Sequence, residues 1–362
     1  MIVEERRKSF KNLNFFLAVI TFDLIILATF ITRSGIISSV HAFGENPIGY
    51  AYLGLIFAST LLGIAVWVRR RDYTGEIKFN NFSREALIMI NILILLLSTL
   101  TVFIGTLTPL FISEISLSRV FYDRLEIPLG TALVILLGLC SALNWRNDSK
   151  LFVNRSKRSL IAGFVIGIAV FGLFRINIAS LGAGIFVFSL LNHLQDIRLR
   201  DLTNRRKLGG YIVHIGIIFL FIGVMGSWLY DSSYNNVRLE VGEKTKLGQL
   251  EVELADMNLF EDQQKYIIKS TVRIYDNGEF QGILEPKQYI YKLNRHDRIV
   301  SNVEILSQPG RDIYIAMGGI IGHFEGANFE IYLVPMVSFV WIGSVMMIIG
   351  GIYTLIPRMT GR

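Results

Sequence analysis

The sequence predicts a polytopic α-helical membrane protein of about eight transmembrane helices with a small extracytoplasmic β-rich domain. Three observations predict it: eight apolar segments of membrane-crossing length, basic residues crowded into alternate connections, and a stretch of about 100 polar and β-branched residues between the last two segments. The chain is 52% hydrophobic and only 18% charged, against about 25% charged in a typical soluble domain.

A bilayer core takes roughly 20 helical residues to cross. The candidate spans are 13–31, 48–68, 86–111, 128–145, 160–174, 178–194, 209–229 and 331–356. The fifth and sixth are short and are separated only by Arg175-Ile176-Asn177, which reads as a tight helical hairpin. Lys and Arg test the count. Twenty-one of them fall in the terminal tails and alternate connections, among them Arg69, Arg70, Arg71, Arg205, Arg206 and Lys207. The intervening short loops carry four: Arg33, Arg119, Arg124 and Arg175. This asymmetry puts both termini in the cytoplasm. The net charge of +7 is then a matter of topology, and the implied surroundings are lipid rather than nucleic acid.

The first span is too long for a cleavable signal peptide and lacks a small-residue cleavage site. Cys140 is the single cysteine and lies within the fourth span, so an intrachain disulfide, a CxxC pair and a CxxCH attachment site are all excluded. Residues 1–229 read as seven spans with short loops, 230–330 as an extracytoplasmic β domain, and 331–362 as the final span and a cytoplasmic tail. Strand-like runs in the β domain are 237–241, 250–257, 266–275, 279–292, 300–306 and 312–317. Asp276-Asn277-Gly278 supplies residues tolerant of positive φ and marks a hairpin. Six short strands suggest a small antiparallel barrel or sandwich.

The titratable residues carry what chemistry there is. His214 lies roughly one and a half turns inside the seventh span, in Gly209-Gly210-Tyr211-Ile212-Val213-His214-Ile215-Gly216. An imidazole in such a segment requires a partner: a proton relay, a metal, a haem, or a carbonyl of a neighbouring helix. Its flanking glycines leave room for a flat bulky group or for another helix. His41 follows the first span, on the outer side. His41 and His214 therefore belong to opposite halves of the bilayer, and each would complete a different site with a second ligand from elsewhere. His193 ends the sixth span beside a basic loop, and His296 and His323 lie in the β domain; these three read as structural or solvated. Asp23, near the middle of the first span, is either functional or a hydrogen-bond partner of a neighbouring helix. The tryptophans at 67, 145, 228 and 341 lie mostly at span ends, as interfacial belt residues do.

Several motifs resemble one family. Thr32-Arg33-Ser34-Gly35 followed by Ser39-Val40-His41-Ala42-Phe43 resembles the TRSGxxxSVHAF signature of the cytochrome c maturation protein F (CcmF) family, the haem-lyase component of system I. In order along the chain, Phe82-Ser83-Arg84-Glu85, Gly105-Thr106-Leu107-Thr108-Pro109-Leu110, the glycine-rich His214 segment, Arg311-Asp312-Ile313-Tyr314-Ile315-Ala316, Trp341-Ile342-Gly343 and Gly350-Gly351 resemble further family motifs. The tryptophan-rich haem-handling segment of full-length members has no counterpart here. The chain thus resembles a C-terminal half, as in split systems where two genes supply one protein.

The resemblance implies that His41 is an axial ligand to haem at the outer surface, and His214 an axial ligand of a buried b-type haem. Arg33, Ser34, Gly35, Gly209 and Gly210 would support those sites. The implied reaction joins the vinyl groups of haem, as transferred substrate, to the thiols of an apocytochrome c CxxCH motif. Implied partners are an N-terminal CcmF half carrying the tryptophan-rich segment, the haem chaperone CcmE, a CcmH-type protein and apocytochrome c. The implied location is the bacterial inner membrane, with the mitochondrial inner membrane as the second candidate. Two rival functions are a transporter with Asp23 and His214 on a proton path, and a scaffold whose histidines bind nothing.

Overall fold

A computed structural model describes residues 11–34, 48–69, 84–112, 117–143, 149–174, 177–197, 204–292 and 299–355. The chain divides into two units, Met1–Asn154 and Arg155–Arg362. Among the described residues, eight helices are long and apolar enough to cross a membrane.

The first unit holds α1 (Lys11–Ser34), α2 (Ile48–Arg69), α3 (Arg84–Phe111) and α4 (Arg119–Ala142). Helices α1 and α2 form an antiparallel pair. Phe16 meets Trp67 with ring centroids 5.4 Å apart. A Cβ on Gly63 would sit 3.1 Å from Val19, and one on Gly49 would sit 3.0 Å from Ser34. The two glycines thus let α2 approach α1 closely at both ends of the pair. Helices α3 and α4 pair likewise, with Ser98 Oγ donating to Glu126 Oε2 at 2.5 Å and Gly105 seated against the Tyr122 ring. Large apolar side chains such as Ile25, Phe57 and Leu62 stay exposed, as lipid-facing residues of a span are.

Helix α4 starts nine residues before Pro128, where the sequence suggests a start because proline favours a first helical turn. Pro128 instead lies inside the helix, which a membrane span tolerates more readily than a soluble helix does. Arg119 and Asp123, an i,i+4 ion pair at 3.5 Å, therefore belong to α4 rather than to a loop.

Helix α5 (Ser149–Phe174) crosses the boundary between the units; α6 (Asn177–Asp196), α7 (Arg205–Leu229) and α8 (Val337–Leu355) lie in the second. The two weakest predicted spans, the fifth and sixth, are the helices α5 and α6. Their backbones touch where Gly163 and Gly184 face each other: a Cβ on Gly184 would sit 2.8 Å from the Gly163 carbonyl oxygen.

Helices α7 and α8 pack along a glycine row. Gly209, Gly216 and Gly223 recur every seven residues on α7, and Gly343 and Gly350 do so on α8. Gly209 lies against Gly350, and Gly216 against Gly343, so the helices run antiparallel with their backbones in contact. A Cβ on Gly216 would meet the Gly343 carbonyl at 2.8 Å, and one on Gly350 would meet that of Gly209 at 2.7 Å. Such contact replaces the hydrophobic driving force that lipid removes.

Between α7 and α8 the described residues form ten antiparallel strands, β1 (Ser232–Glu240), β2 (Lys244–Leu247), β3 (Leu250–Glu261), β4 (Lys265–Asp276), β5 (Glu279–Leu284), β6 (Lys287–Tyr291), β7 (Ile299–Asn302), β8 (Glu304–Ser307), β9 (Arg311–Ile321) and β10 (Gly326–Pro335). They make a four-stranded sheet in the order β1-β10-β9-β8, and a six-stranded sheet in which β2-β3-β4-β6-β7 are neighbours and β5 pairs with β4. One core joins both sheets, with Leu239, Val252, Leu254, Val272, Ile315 and Phe329 fully buried. This is the sandwich alternative of the sequence reading. The hairpin turn is as the sequence suggests: Asn277 and Gly278 have φ of 49° and 85°, and Asp276 pairs with Glu279 across it.

One boundary differs. The apolar run 331–335 reads as the start of the last span, but Ile331–Pro335 belong to β10, paired with β1 and β9, and α8 begins at Val337. A short apolar run carries no period that separates a buried strand from a helix. Met336, at φ 62°, turns the chain from sheet into span.

Candidate functional site

The site is built at the cytoplasmic-facing ends, by the sequence reading, of α6 and α7. Tyr211 Oη donates to the Asp196 carbonyl at 3.1 Å and lies 3.2 Å from its Oδ2, which clamps the end of α6 to the start of α7. Asn204 caps α7 by accepting from the Lys207 amide at 3.5 Å. From that clamp the helices run antiparallel, and one turn further along each the two imidazoles meet. His193 Nε2 lies 3.1 Å from His214 Nδ1, with the rings edge to face at 83°. Further along, Gly182 of α6 lies against Met225 of α7, in the same register.

The network assigns the tautomers. His193 Nδ1 is 2.9 Å from the carbonyl oxygen of Ser189, one turn earlier on α6. A carbonyl only accepts, so Nδ1 of His193 carries the hydrogen. In neutral His193 that leaves the lone pair on Nε2, which accepts from the Nδ1–H of His214. The lone pair of His214 is thereby on Nε2. His193 is 1% exposed and Ser189 0%, while His214 is half-buried. The relay ends on a backbone carbonyl, which cannot pass a proton on.

The surroundings of His214 fit a bulky ligand on one side only. With 3.6 residues per turn, His214 sits roughly 150° around α7 from the Gly209–Gly216 row, so it does not face α8. Gly209 is therefore a helix-packing residue, lodged against Gly350 and Thr354. Gly210 differs: it lies one turn before His214 on the same face, and a Cβ there would meet nothing within 4 Å. A half-buried imidazole with its Nε2 lone pair set by a hydrogen bond at Nδ1, beside an open glycine, has the donor chemistry of a haem ligand.

His41 and Gly35 lie outside the described residues, as does His296. Arg33 and Ser34 form the last turn of α1, where Ser34 packs on Gly49. His323 is exposed in the turn between β9 and β10. Asp23 receives the hydroxyl hydrogens of Ser59 and of Thr60, the latter at 2.7 Å, and so bridges α1 to α2. Arg311 of the Arg311–Ala316 motif reaches across the sandwich to Asp276 at the β4–β5 turn, which gives that motif a structural task. No cluster of three or more His, Cys, Asp or Glu able to hold a metal ion occurs among the described residues.

His193 is the residue the sequence reading undervalued. A signal for it existed. Asp196 and Tyr211, the polar residues that clamp the two helices together, each stand three residues from a histidine, and in an antiparallel hairpin such positions face each other.

No family model matches the chain. The chain is 27% identical over 379 residues to the cytochrome c-type biogenesis protein CcmF of Pseudomonas fluorescens, covering 99% of this chain and 56% of that protein. It is 29% identical over 387 residues to the CcmF of Haemophilus influenzae, covering 98% of this chain and 58% of that protein. Against the CcmF of Escherichia coli it is 25% identical over 382 residues, covering 100% and 58%. The chain thus spans just over half the length of the curated relatives it matches. A solved structure of the cytochrome c haem lyase CcmF superposes with a TM-score of 0.74 at 21% identity, over 98% of this chain and 56% of that one. That likeness shows the fold: eight membrane-length helices with an antiparallel β domain, in the arrangement of CcmF.

Proposed function

We propose that this chain is a subunit of a cytochrome c haem lyase of the CcmF kind, lying in the bacterial inner membrane with both termini cytoplasmic. Residues 230–336 form its extracytoplasmic domain, between membrane parts 1–229 and 337–362. The observation that carries the reading is His214, a half-buried imidazole whose Nδ1 is engaged by His193, beside the open Gly210. The similarity to CcmF proteins over nearly the whole chain supports it.

In this reading His214 would hold a buried b-type haem, and His41 would hold the haem to be transferred, at the outer face. An N-terminal half carrying the tryptophan-rich segment would supply a further ligand in each case. A bound b-type haem supplies a one-electron carrier at that depth. The chain's own residues hold and orient: Tyr211 and Asp196 clamp the hairpin, His193 sets the His214 ring, and Gly210 leaves space. The reaction adds each substrate thiol across a haem vinyl group. A C–S bond forms, the thiol hydrogen goes to the neighbouring carbon, and nothing leaves. This chain contributes positioning rather than a nucleophile. CcmE as haem donor, and a CcmH-type protein with apocytochrome c, are the partners.

The transporter reading gains nothing from the geometry. Asp23 is taken up by Ser59 and Thr60, and the His193–His214 relay ends on a carbonyl.

The test is the reduced-minus-oxidised visible spectrum of the chain co-expressed with its N-terminal partner, as wild type and His214→Ala. A six-coordinate b-type signal in the wild type, lost in the variant, is expected. An unchanged spectrum in the variant would remove His214 from the ligand set. No haem in either protein would favour the scaffold reading.

A further inference from the structure

We infer that His193 is a positioning residue for His214, fixing the tautomer of that ligand and raising its donor strength; the inference rests on the haem-ligand reading of His214. Three observations carry it. The first is the direction of the hydrogen bond. With its Nδ1–H on the Ser189 carbonyl at 2.9 Å, neutral His193 has its lone pair on Nε2, and the group it faces at 3.1 Å is His214 Nδ1. An imidazole that donates from one nitrogen is a better donor of electrons at the other, and its ring orientation is held.

The second is distance. Two imidazoles holding one iron from opposite sides at about 2 Å each need their nitrogens about 4 Å apart. At 3.1 Å the facing nitrogens share a hydrogen and do not hold one iron from opposite sides. His193 therefore acts through His214 and is not its opposing ligand.

The third is placement. His193 is 1% exposed, among the most buried large side chains of the molecule. An imidazole sealed between helices with both nitrogens engaged has one stable arrangement. It cannot swing away when His214 binds a ligand, and so keeps the His214 ring in register. The hydrogen bond also cannot become a proton leak, because the far end of the relay is a carbonyl. Ring orientation and basicity of an axial histidine are levers on haem potential. The chain thus carries, on α6, its own control over the haem held from α7.

The test compares wild type, His214→Ala, His193→Phe and His193→Gln, each as the full chain purified from membranes with its co-purifying partners. Visible and electron paramagnetic resonance spectra, haem content and midpoint potential are read. Phenylalanine fills the volume but accepts nothing. We expect it to keep a low-spin haem with shifted g values, a higher midpoint potential and reduced haem content. Glutamine offers an oxygen that can accept the same Nδ1–H, and should move all three back towards wild type. If His193→Phe does not accumulate, His193→Leu replaces it in the same comparison. Potential and g values in His193→Phe equal to wild type, with the haem still dependent on His214, would overturn this inference and leave the ligand reading standing. A shift that glutamine fails to reverse also overturns it, since lost packing alone gives that result. A haem signal that survives His214→Ala, or no haem in the wild type, instead sinks the ligand reading and this inference together.

Discussion

His193 and His214 show how a single side chain changes meaning when its neighbour is known. Each alone is an imidazole near a span end. Together they form a directed relay from the Ser189 carbonyl to His214 Nε2. Asp23 goes the other way: an acid in the middle of a span, with functional and structural readings in balance, is accounted for by two hydroxyls of α2. Ser59 also lies 2.9 Å from the Leu55 carbonyl, so it has a fallback if the acid is removed. Hydrogen bonds between membrane helices average only about 0.6 kcal/mol. Asp23→Asn should therefore leave cytochrome c yield unchanged, and Asp23→Ala should cost about 1 kcal/mol or less of stability in detergent. A collapse of cytochrome c yield in Asp23→Asn with the protein still folded would bring back a proton-carrying role. Gly210 gives a second test at this scale. Gly210→Ala should keep or slightly raise the thermal midpoint, since nothing lies within 4 Å and alanine favours the helix, while Gly210→Phe should lower haem content. Equal haem content in Gly210→Phe and wild type would show that the open face is not where haem lies.

At the scale of elements, α7 has two working faces. One carries the glycine row against α8, and the other presents His214 towards α6. The row works because Gly216 and Gly343 place each Cα over the other's carbonyl, where any side chain would strike backbone. Gly216→Leu should part the helices and cost about 1–3 kcal/mol, as overpacking does. This would be seen as a lowered thermal midpoint and reduced membrane levels. An unshifted midpoint would mean that the pair is held from elsewhere. In the sandwich, Phe329 is fully buried between the sheets, and Phe329→Ala should cost about 3–5 kcal/mol by the same measure. A shift under about 1 kcal/mol would contradict a shared core.

For the whole molecule, the β domain is an insertion between two helices that already pair. Strands β1 and β10 leave and rejoin α7 and α8 side by side, with Ser232 opposite Leu333. Replacing residues 232–335 with a short flexible linker should therefore spare the α7–α8 pair and the haem signal that depends on His214. Cytochrome c formation should be lost, because the haem to be transferred lies at the outer face in the proposed reading. Loss of the haem signal in that variant would mean that the domain supports the membrane site directly.

The spans, their number and the presence of a strand-rich insertion were legible because each is a matter of composition along the chain. Twenty apolar residues have few alternatives in a bilayer, and Asn277-Gly278 has few alternatives to a hairpin turn. His214 was legible for a similar reason, since an imidazole in an apolar segment is conspicuous. Contacts between elements were not. That Gly209 serves α8 and Gly210 the open face, that Ile331–Pro335 is strand rather than span, and that His193 is sealed against His214 all depend on which helix faces stand together. Hydropathy says how much apolar surface a segment has to bury. Only the packed helices and sheets decide what each face is buried against, because close approach and hydrogen-bond direction are properties of pairs of residues and not of either one.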